Sequence, residues 1–176
     1  MLRTRRRFLA AALWAVAGSA AAHTPYGQWV VYRQKHLLIG AHRGDARTYE
    51  QAKAVVAALE VELPAAAARV ARGPHPQRIA SLMGTGQLNV AVLPEAEAAA
   101  MVEGSAPFEN YRPTPLTRLA ALNDGYTLFA AKGLPPDHGW LIVQALDHSG
   151  MARAPRPDAI ILHPGAAAYW RGDPKP

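Results

Sequence analysis

The chain has 176 residues, half of them hydrophobic, with a formal net charge of +6 and no cysteine. The lack of cysteine excludes disulfides, thiolate catalysis and thiolate metal sites. Four of the basic residues lie among the first seven, so residues 23–176 hold 15 basic and 13 acidic side chains, a net charge of +2. That balance, without a basic stripe interleaved with aromatic residues, argues against a nucleic-acid partner.

Residues 1–22 have the order of a secretory signal peptide. A cluster of arginines precedes an apolar run, Phe8–Ala17, and small residues follow up to Ala22. The run of about 10 residues is shorter than the roughly 20 that a membrane-spanning helix needs. Residues 4–9 also resemble the twin-arginine signature. We therefore predict export to the periplasm with cleavage near Ala22, by the twin-arginine route or, alternatively, by the general secretory route.

Past an arm at residues 23–28 and a β-rich stretch at 29–33, the chain alternates between strands and helices. Apolar runs predict strands at residues 36–41, 67–71 and 88–93. Helices are predicted from Thr48 to just before Pro64, from Pro76 to Gly84, and from Pro94 to about Val102. The first of these begins with a possible capping box, Thr48 and Gln51.

The remainder of the chain contains a hairpin and two more helices. After a loop at residues 104–115, two apolar runs flank Asp124-Gly125, which is a strong hairpin signal. A helix opens at Pro135-Pro136, and residues 149–158 are predicted as a flexible linker. A short helix follows His163, its expected cap. The alternation over residues 36–103 predicts a single three-layer α/β domain, spanning residues 23–176, with a mostly parallel sheet.

Four segments, in their order along the chain, resemble the periplasmic solute-binding proteins of type II fold. The closest likeness is to the TAXI group of TRAP-transporter binding proteins. The segments are Leu37–Gly40 with the polar loop after it, Gln77–Leu93, Leu134–Ile142 and Leu162–Trp170. Proteins of this type close two lobes on a ligand, and this chain is similar to about one lobe. The resemblance implies a type II binding-protein-like lobe that takes a solute, with a TRAP-type permease as the implied partner.

Ligands of open α/β sheets bind beyond the carboxyl ends of the strands, next to helix N-termini. That rule selects the loops at residues 42–48, 73–75 and 94–97. Arginine favours an anionic ligand there, although the loop at 43–47 could instead pair its charges internally. The predicted ligand contacts are Arg43, Thr48 and Tyr49, with His42, His75 and Glu95 nearby.

Metal and cofactor binding are not predicted. Imidazoles and a carboxylate such as His42, His75 and Glu95 are weak candidates for zinc or copper. No local metal spacing such as His-x-x-x-His accompanies them.

The sequence also lacks a Gly-x-Ser-x-Gly elbow, a phosphate loop and a Gly-x-Gly-x-x-Gly motif, so we expect no catalysis. The primary hypothesis is a periplasmic solute-binding-like protein with a small anionic ligand. The alternative is a non-catalytic accessory or protein-interaction module of a periplasmic or membrane complex.

Overall fold

The apolar runs and the helical periodicity produce five strands and five α-helices in the described part of the chain. The computed structural model describes residues 35–156 and 159–176, so the predicted signal peptide, arm and first β-rich stretch lie outside it. The strands are β1 (Leu38–His42), β2 (Arg69–Gly73), β3 (Val90–Pro94), β4 (Leu116–Ala121) and β5 (Tyr126–Ala131). The helices are α1 (Ala46–Glu62), α2 (Pro76–Gly84), α3 (Glu95–Glu103), α4 (Pro136–His148) and α5 (Pro164–Arg171).

The five strands form one mixed sheet in the order β2-β1-β3-β5-β4. β1 pairs in parallel with β2 and with β3, whereas β5 is antiparallel to both β3 and β4. The α/β class is confirmed, but the prediction of a mostly parallel sheet is wrong for the pairing, since two of these four pairs are antiparallel. The tight turn Asn123–Gly125 returns the chain directly and so pairs β5 antiparallel with β4, and because the reversed strand β5 lies beside β3, that pair is antiparallel as well.

Helices cover both faces of the sheet and bury two apolar clusters. On one face, α1, α4 and α5 pack over a cluster that includes Leu59, Leu128 and Leu146. On the other face, α2, α3 and the loop after α3 pack over a cluster that includes Ile79, Met101 and Phe129. Alternate residues of β1 and β3 enter opposite clusters, as the pleat of a strand requires. The described chain therefore has three layers.

The start of α1 differs from the prediction. Asp45 is its N-cap, and the Asp45 side chain accepts a hydrogen bond from Arg47 N at 2.9 Å. Thr48 lies inside the first turn and is fully buried. Its hydroxyl donates to Asp45 O at 2.7 Å and also lies 3.1 Å from His42 O. The prediction of a capping box at Thr48 and Gln51 is therefore wrong, because the Thr48 hydroxyl instead bonds the loop after β1 to the helix.

The most distinctive resembling segment, at residues 162–170, joins α5 to α4. The Nδ1 atom of His163 caps α5 by accepting from Gly165 N at 3.2 Å, as predicted, and its Nε2 lies 3.0 Å from Leu134 O. A Cβ placed on Gly165 would lie 1.8 Å from Pro136 O. The absence of a side chain at Gly165 therefore allows the two helix starts to touch. Tyr169 completes the junction by donating to Asp147 Oδ2 at 2.7 Å.

Part of the predicted linker lies against the outer edge of β4. Arg153 and Ala121 exchange two backbone hydrogen bonds of 3.0 Å, and Arg156 O accepts from the Arg118 guanidinium at 2.9 Å. Farther along, Ile161 O and His163 N bond the backbone of Arg118. Residues 153 and 156 of the predicted linker thus make specific contacts with β4, and residues 157–158 are outside the described chain.

Among the described residues, no helix is both long enough and apolar enough to cross a membrane.

Candidate functional site

The candidate site is the position where the carboxyl ends of the neighbouring strands β1 and β3 adjoin, and we call this position the crevice. α1 leads from β1 to β2 over one face of the sheet, and α2 leads from β2 to β3 over the other face. α3, which follows β3, lies on the same face as α2, so the connections that leave β1 and β3 diverge to opposite faces, which is the arrangement that opens a ligand crevice in an α/β sheet. His42 ends β1 on one side of this crevice, and the first turn of α3 borders the other.

A buried imidazole and a carboxylate meet in the crevice. His42 Nε2 lies 3.1 Å from Glu97 Oε1, with side chains that are 3% and 17% exposed. The contact lacks hydrogen-bond alignment, and neither nitrogen of His42 has a hydrogen-bond partner among the described residues. Buried polar atoms in folded proteins nearly always find a partner, so such atoms need a specific explanation.

A second carboxylate, Glu95, ties the start of α3 to two strands. One of its oxygens accepts from the guanidinium of Arg118 on β4, and the other accepts from the hydroxyl of Thr127 on β5. Arg118 is almost fully buried, whereas the Glu95 side chain is 39% exposed. Two acidic residues in the first turn also interact favourably with the positive end of the helix dipole. Glu95 can therefore offer its exposed side to a ligand while it remains anchored from below.

On the opposite face of the sheet, the carboxylate of Asp45 accepts a hydrogen bond from the hydroxyl of Tyr126. Burial, followed by this bond, raises the pKa of Tyr126 to about 12. Beside them, Arg47 and Asp124 form an ion pair of 3.5 Å, with both side chains mostly exposed. Asp45 is thus bonded to the start of β5 and Arg47 is paired with the turn before it, whereas Arg43 is left exposed.

The six predicted ligand contacts fall in three different settings. Arg43 is exposed and makes no ion pair with the described chain, His42 lies in the crevice, and Glu95, in the first turn of α3, directs its carboxylate to β5 and β4. Thr48 is buried and bonded to backbone oxygens, and so is not available to a ligand in this arrangement. The other two lie toward β2: the ring of Tyr49 is 4.2 Å from the Arg72 guanidinium, and His75 is exposed at the start of α2.

The weak metal candidates are not gathered into one site. His42 faces Glu97, Glu95 faces Arg118, and His75 lies beyond the end of β2. Within residues 35–156 and 159–176, no group of three histidine or acidic side chains is placed to hold a metal ion.

Sequence reasoning did not identify several residues that shape the crevice. Glu97 is paired with a residue 55 positions away in the sequence, and Tyr126 with one 81 positions away, so no local spacing links them. Arg118 carries a usable signal, because a single arginine within the apolar run 116–122 indicates a buried charge that needs a carboxylate. No signal in the sequence indicates that Glu95 is that carboxylate.

No protein-family model matches the chain, and no curated protein matches it.

Proposed function

We propose that the protein is an exported, non-catalytic solute-binding module, a single type II binding-protein-like lobe. Its small ligand, which carries an anionic group, binds in the crevice between β1 and β3. The supporting observation is the buried His42–Glu97 pair at the position where α/β sheets bind ligands. Both ring nitrogens of His42 and the Oε1 atom of Glu97 lack hydrogen-bond partners in the described chain.

The charges around the crevice suggest what the ligand carries. Arg43 provides an exposed cation for a carboxylate or an oxyanion, which arginine can bind with two hydrogen bonds. Glu95 and Glu97 are partly exposed acceptors on the facing helix. A ligand with both an anionic group and hydrogen-bond donors, such as a hydroxy acid or an amino acid, satisfies both sides. A pure dianion would face repulsion from the two glutamates.

The role as an exported protein rests on the sequence of residues 1–22. In that compartment the lobe would deliver its solute to a membrane permease of TRAP type or to a second protein that completes the crevice. The resemblance to the TAXI group supports the first of these partners.

A thermal-shift screen of hydroxy acids, amino acids, di- and tricarboxylates, phosphate and sulfate tests the proposal. A ligand at 100 times its Kd adds about 2.7 kcal/mol to the free energy of unfolding. For a domain of this size that gain raises Tm by roughly 5–10 °C. We expect Arg43→Gln and Glu97→Gln to abolish the shift, measured from each variant's own Tm.

Arg153→Gln is the matched control, because Arg153 is also exposed and contacts β4 through its backbone. The proposal is wrong if no compound in the screen raises Tm, or if the Arg43→Gln protein responds to the ligand as strongly as the control does.

A further inference from the structure

A basic surface at the end of β2 lies outside the crevice. No aspartate or glutamate occurs between Glu62 and Glu95, an interval of 32 residues that contains β2, α2 and β3. The same interval carries three arginines and His75. We name Arg72, His75 and Arg78 the basic corner; all three side chains are exposed.

The fold brings these residues around one strand end. Arg72 is the last residue but one of β2, and His75 is the N-cap of α2. A Cβ placed on Gly73 would lie 3.6 Å from Arg78 Cβ, so the third member lies against the same strand end. Arg43 borders the corner, because its N–H donates to Gly73 O at 3.0 Å.

The charges of the basic corner are not neutralised within the described chain. Arg47, Arg69, Arg118 and Arg171 each form an ion pair with a carboxylate, but Arg72 and Arg78 form none with the described residues. Arg72 instead stacks on the ring of Tyr49, 4.2 Å from its centroid. Such a contact holds a guanidinium in place without cancelling its charge.

The arrangement selects among anionic partners. Arg72 stacks toward α1 on one face of the sheet, while Arg78 belongs to α2 on the other face, so the charges are spread around the strand end. A small ion would reach only part of the corner, whereas an extended acidic chain can follow it. The large exposed apolar residues of the described chain, Val61, Tyr111 and Ile161, are not members, so the corner lacks the apolar side chains that favour a lipid surface.

We propose that the basic corner is a docking surface for an acidic segment of a partner protein. Complementary charge on such surfaces accelerates association and fixes orientation. The surface adjoins the crevice at Arg43 but shares no member residue with it, and its use does not depend on a bound solute.

The test is fluorescence anisotropy of a labelled peptide of twelve glutamates, titrated with the purified full-length protein at low and at physiological salt. We expect saturable binding that weakens as salt rises, because screening acts on exposed charges. The double variant Arg72→Glu with Arg78→Glu should weaken binding by about tenfold or more, the effect of two reversed contacts at an electrostatic interface. Circular dichroism confirms folding, and Arg78→Glu alone, which leaves the Tyr49 stack intact, provides the second variant.

Lys132→Glu with Lys175→Glu is the matched control, since it changes the net charge equally at exposed positions outside the corner. Equal weakening by both double variants would show that only net charge matters and would overturn the proposal. Absence of peptide binding at low salt would overturn it as well, as would tighter binding to phosphate or to phosphatidylglycerol vesicles than to the peptide. The response of the Arg72 and Arg78 variants to the solute, measured by thermal shift, distinguishes failure of the docking proposal from failure of the proposed solute binding.

Discussion

Replacement of Gly165 by alanine tests whether the junction of α4 and α5 depends on backbone contact. The added Cβ would lie 1.8 Å from Pro136 O and 2.7 Å from Trp140 N, whereas real Cβ atoms essentially never come within 3.0 Å. The obstructing atoms belong to the backbone, so no side-chain rotation relieves the overlap. The start of α5 must therefore move away from α4 by about 1.2 Å.

The cost of that movement follows from what it disturbs. Overpacking alone costs typically 1–3 kcal/mol. The hydrogen bonds of His163 with Leu134 O and of Tyr169 with Asp147 cross the same junction, and each contributes about 1 kcal/mol. The higher helix propensity of alanine than of glycine offsets at most about 1 kcal/mol of this loss of stability. The net expectation is a loss of about 3 kcal/mol, which corresponds to a fall in Tm of roughly 6–12 °C.

Urea denaturation followed by circular dichroism measures this loss. Gly133→Ala is the control, because nothing lies within 4 Å of its Cβ position. That variant should match the parent protein or gain up to about 1 kcal/mol from the stiffer unfolded chain. If Gly165→Ala unfolds within about 1 kcal/mol of Gly133→Ala, the inference that the two helix starts are in backbone contact is refuted.

Two further predictions concern a strained residue and a buried histidine. Ala67 has φ of 44°, a left-handed conformation that costs an L residue about 1–2 kcal/mol. Ala67→Gly removes this strain but gives the unfolded chain more conformational entropy, so the free energy of unfolding should rise by about 0.5–1 kcal/mol. Its neighbour Ala66, which has no such strain, should lose about 0.5 kcal/mol as glycine, and equal effects in urea denaturation would contradict the reasoning. Burial lowers the pKa of His163 below its ordinary value of 6.5, so below that pH the unfolded chain binds a proton that the folded chain does not. The free energy of unfolding should therefore be highest above pH 6.5 and should fall as the pH decreases below that value. In urea denaturation, the loss between pH 7.5 and pH 5 should be smaller for His163→Asn than for the parent protein, and an equal loss would contradict the inference.

The fold was predictable to the extent that its signals are local. The apolar runs predicted the strands, and Pro76, Gly84 and Asp124-Gly125 marked where helices or strands begin or end. The predicted elements lie within a few residues of their observed bounds. The sheet order was not predictable in the same way. The hairpin signal pairs β4 with β5, but nothing local indicates that β5 rather than β4 lies beside β3.

The candidate site was less predictable, because it depends on pairs that are distant in sequence. The strand-end rule identified His42 and Glu95, but their partners Glu97 and Arg118 are not linked to them by any motif. Thr48 illustrates the opposite error. It has the residue type and spacing of a helix cap, yet Asp45, three residues earlier, takes that role, and the threonine is buried against the loop.

The backbone contacts that Arg153, Ile161 and His163 make with β4 have a consequence for association between molecules. A border strand with free N–H and C=O groups is a template for a strand from another molecule, which leads to aggregation or domain swapping. Here the backbone of Arg153 forms hydrogen bonds with the N–H and C=O groups of Ala121. The N–H of Arg118 donates to Ile161 O, and its C=O accepts from His163 N. This border of the sheet is thus blocked by the chain's own backbone, which favours a protein that remains dispersed at high concentration.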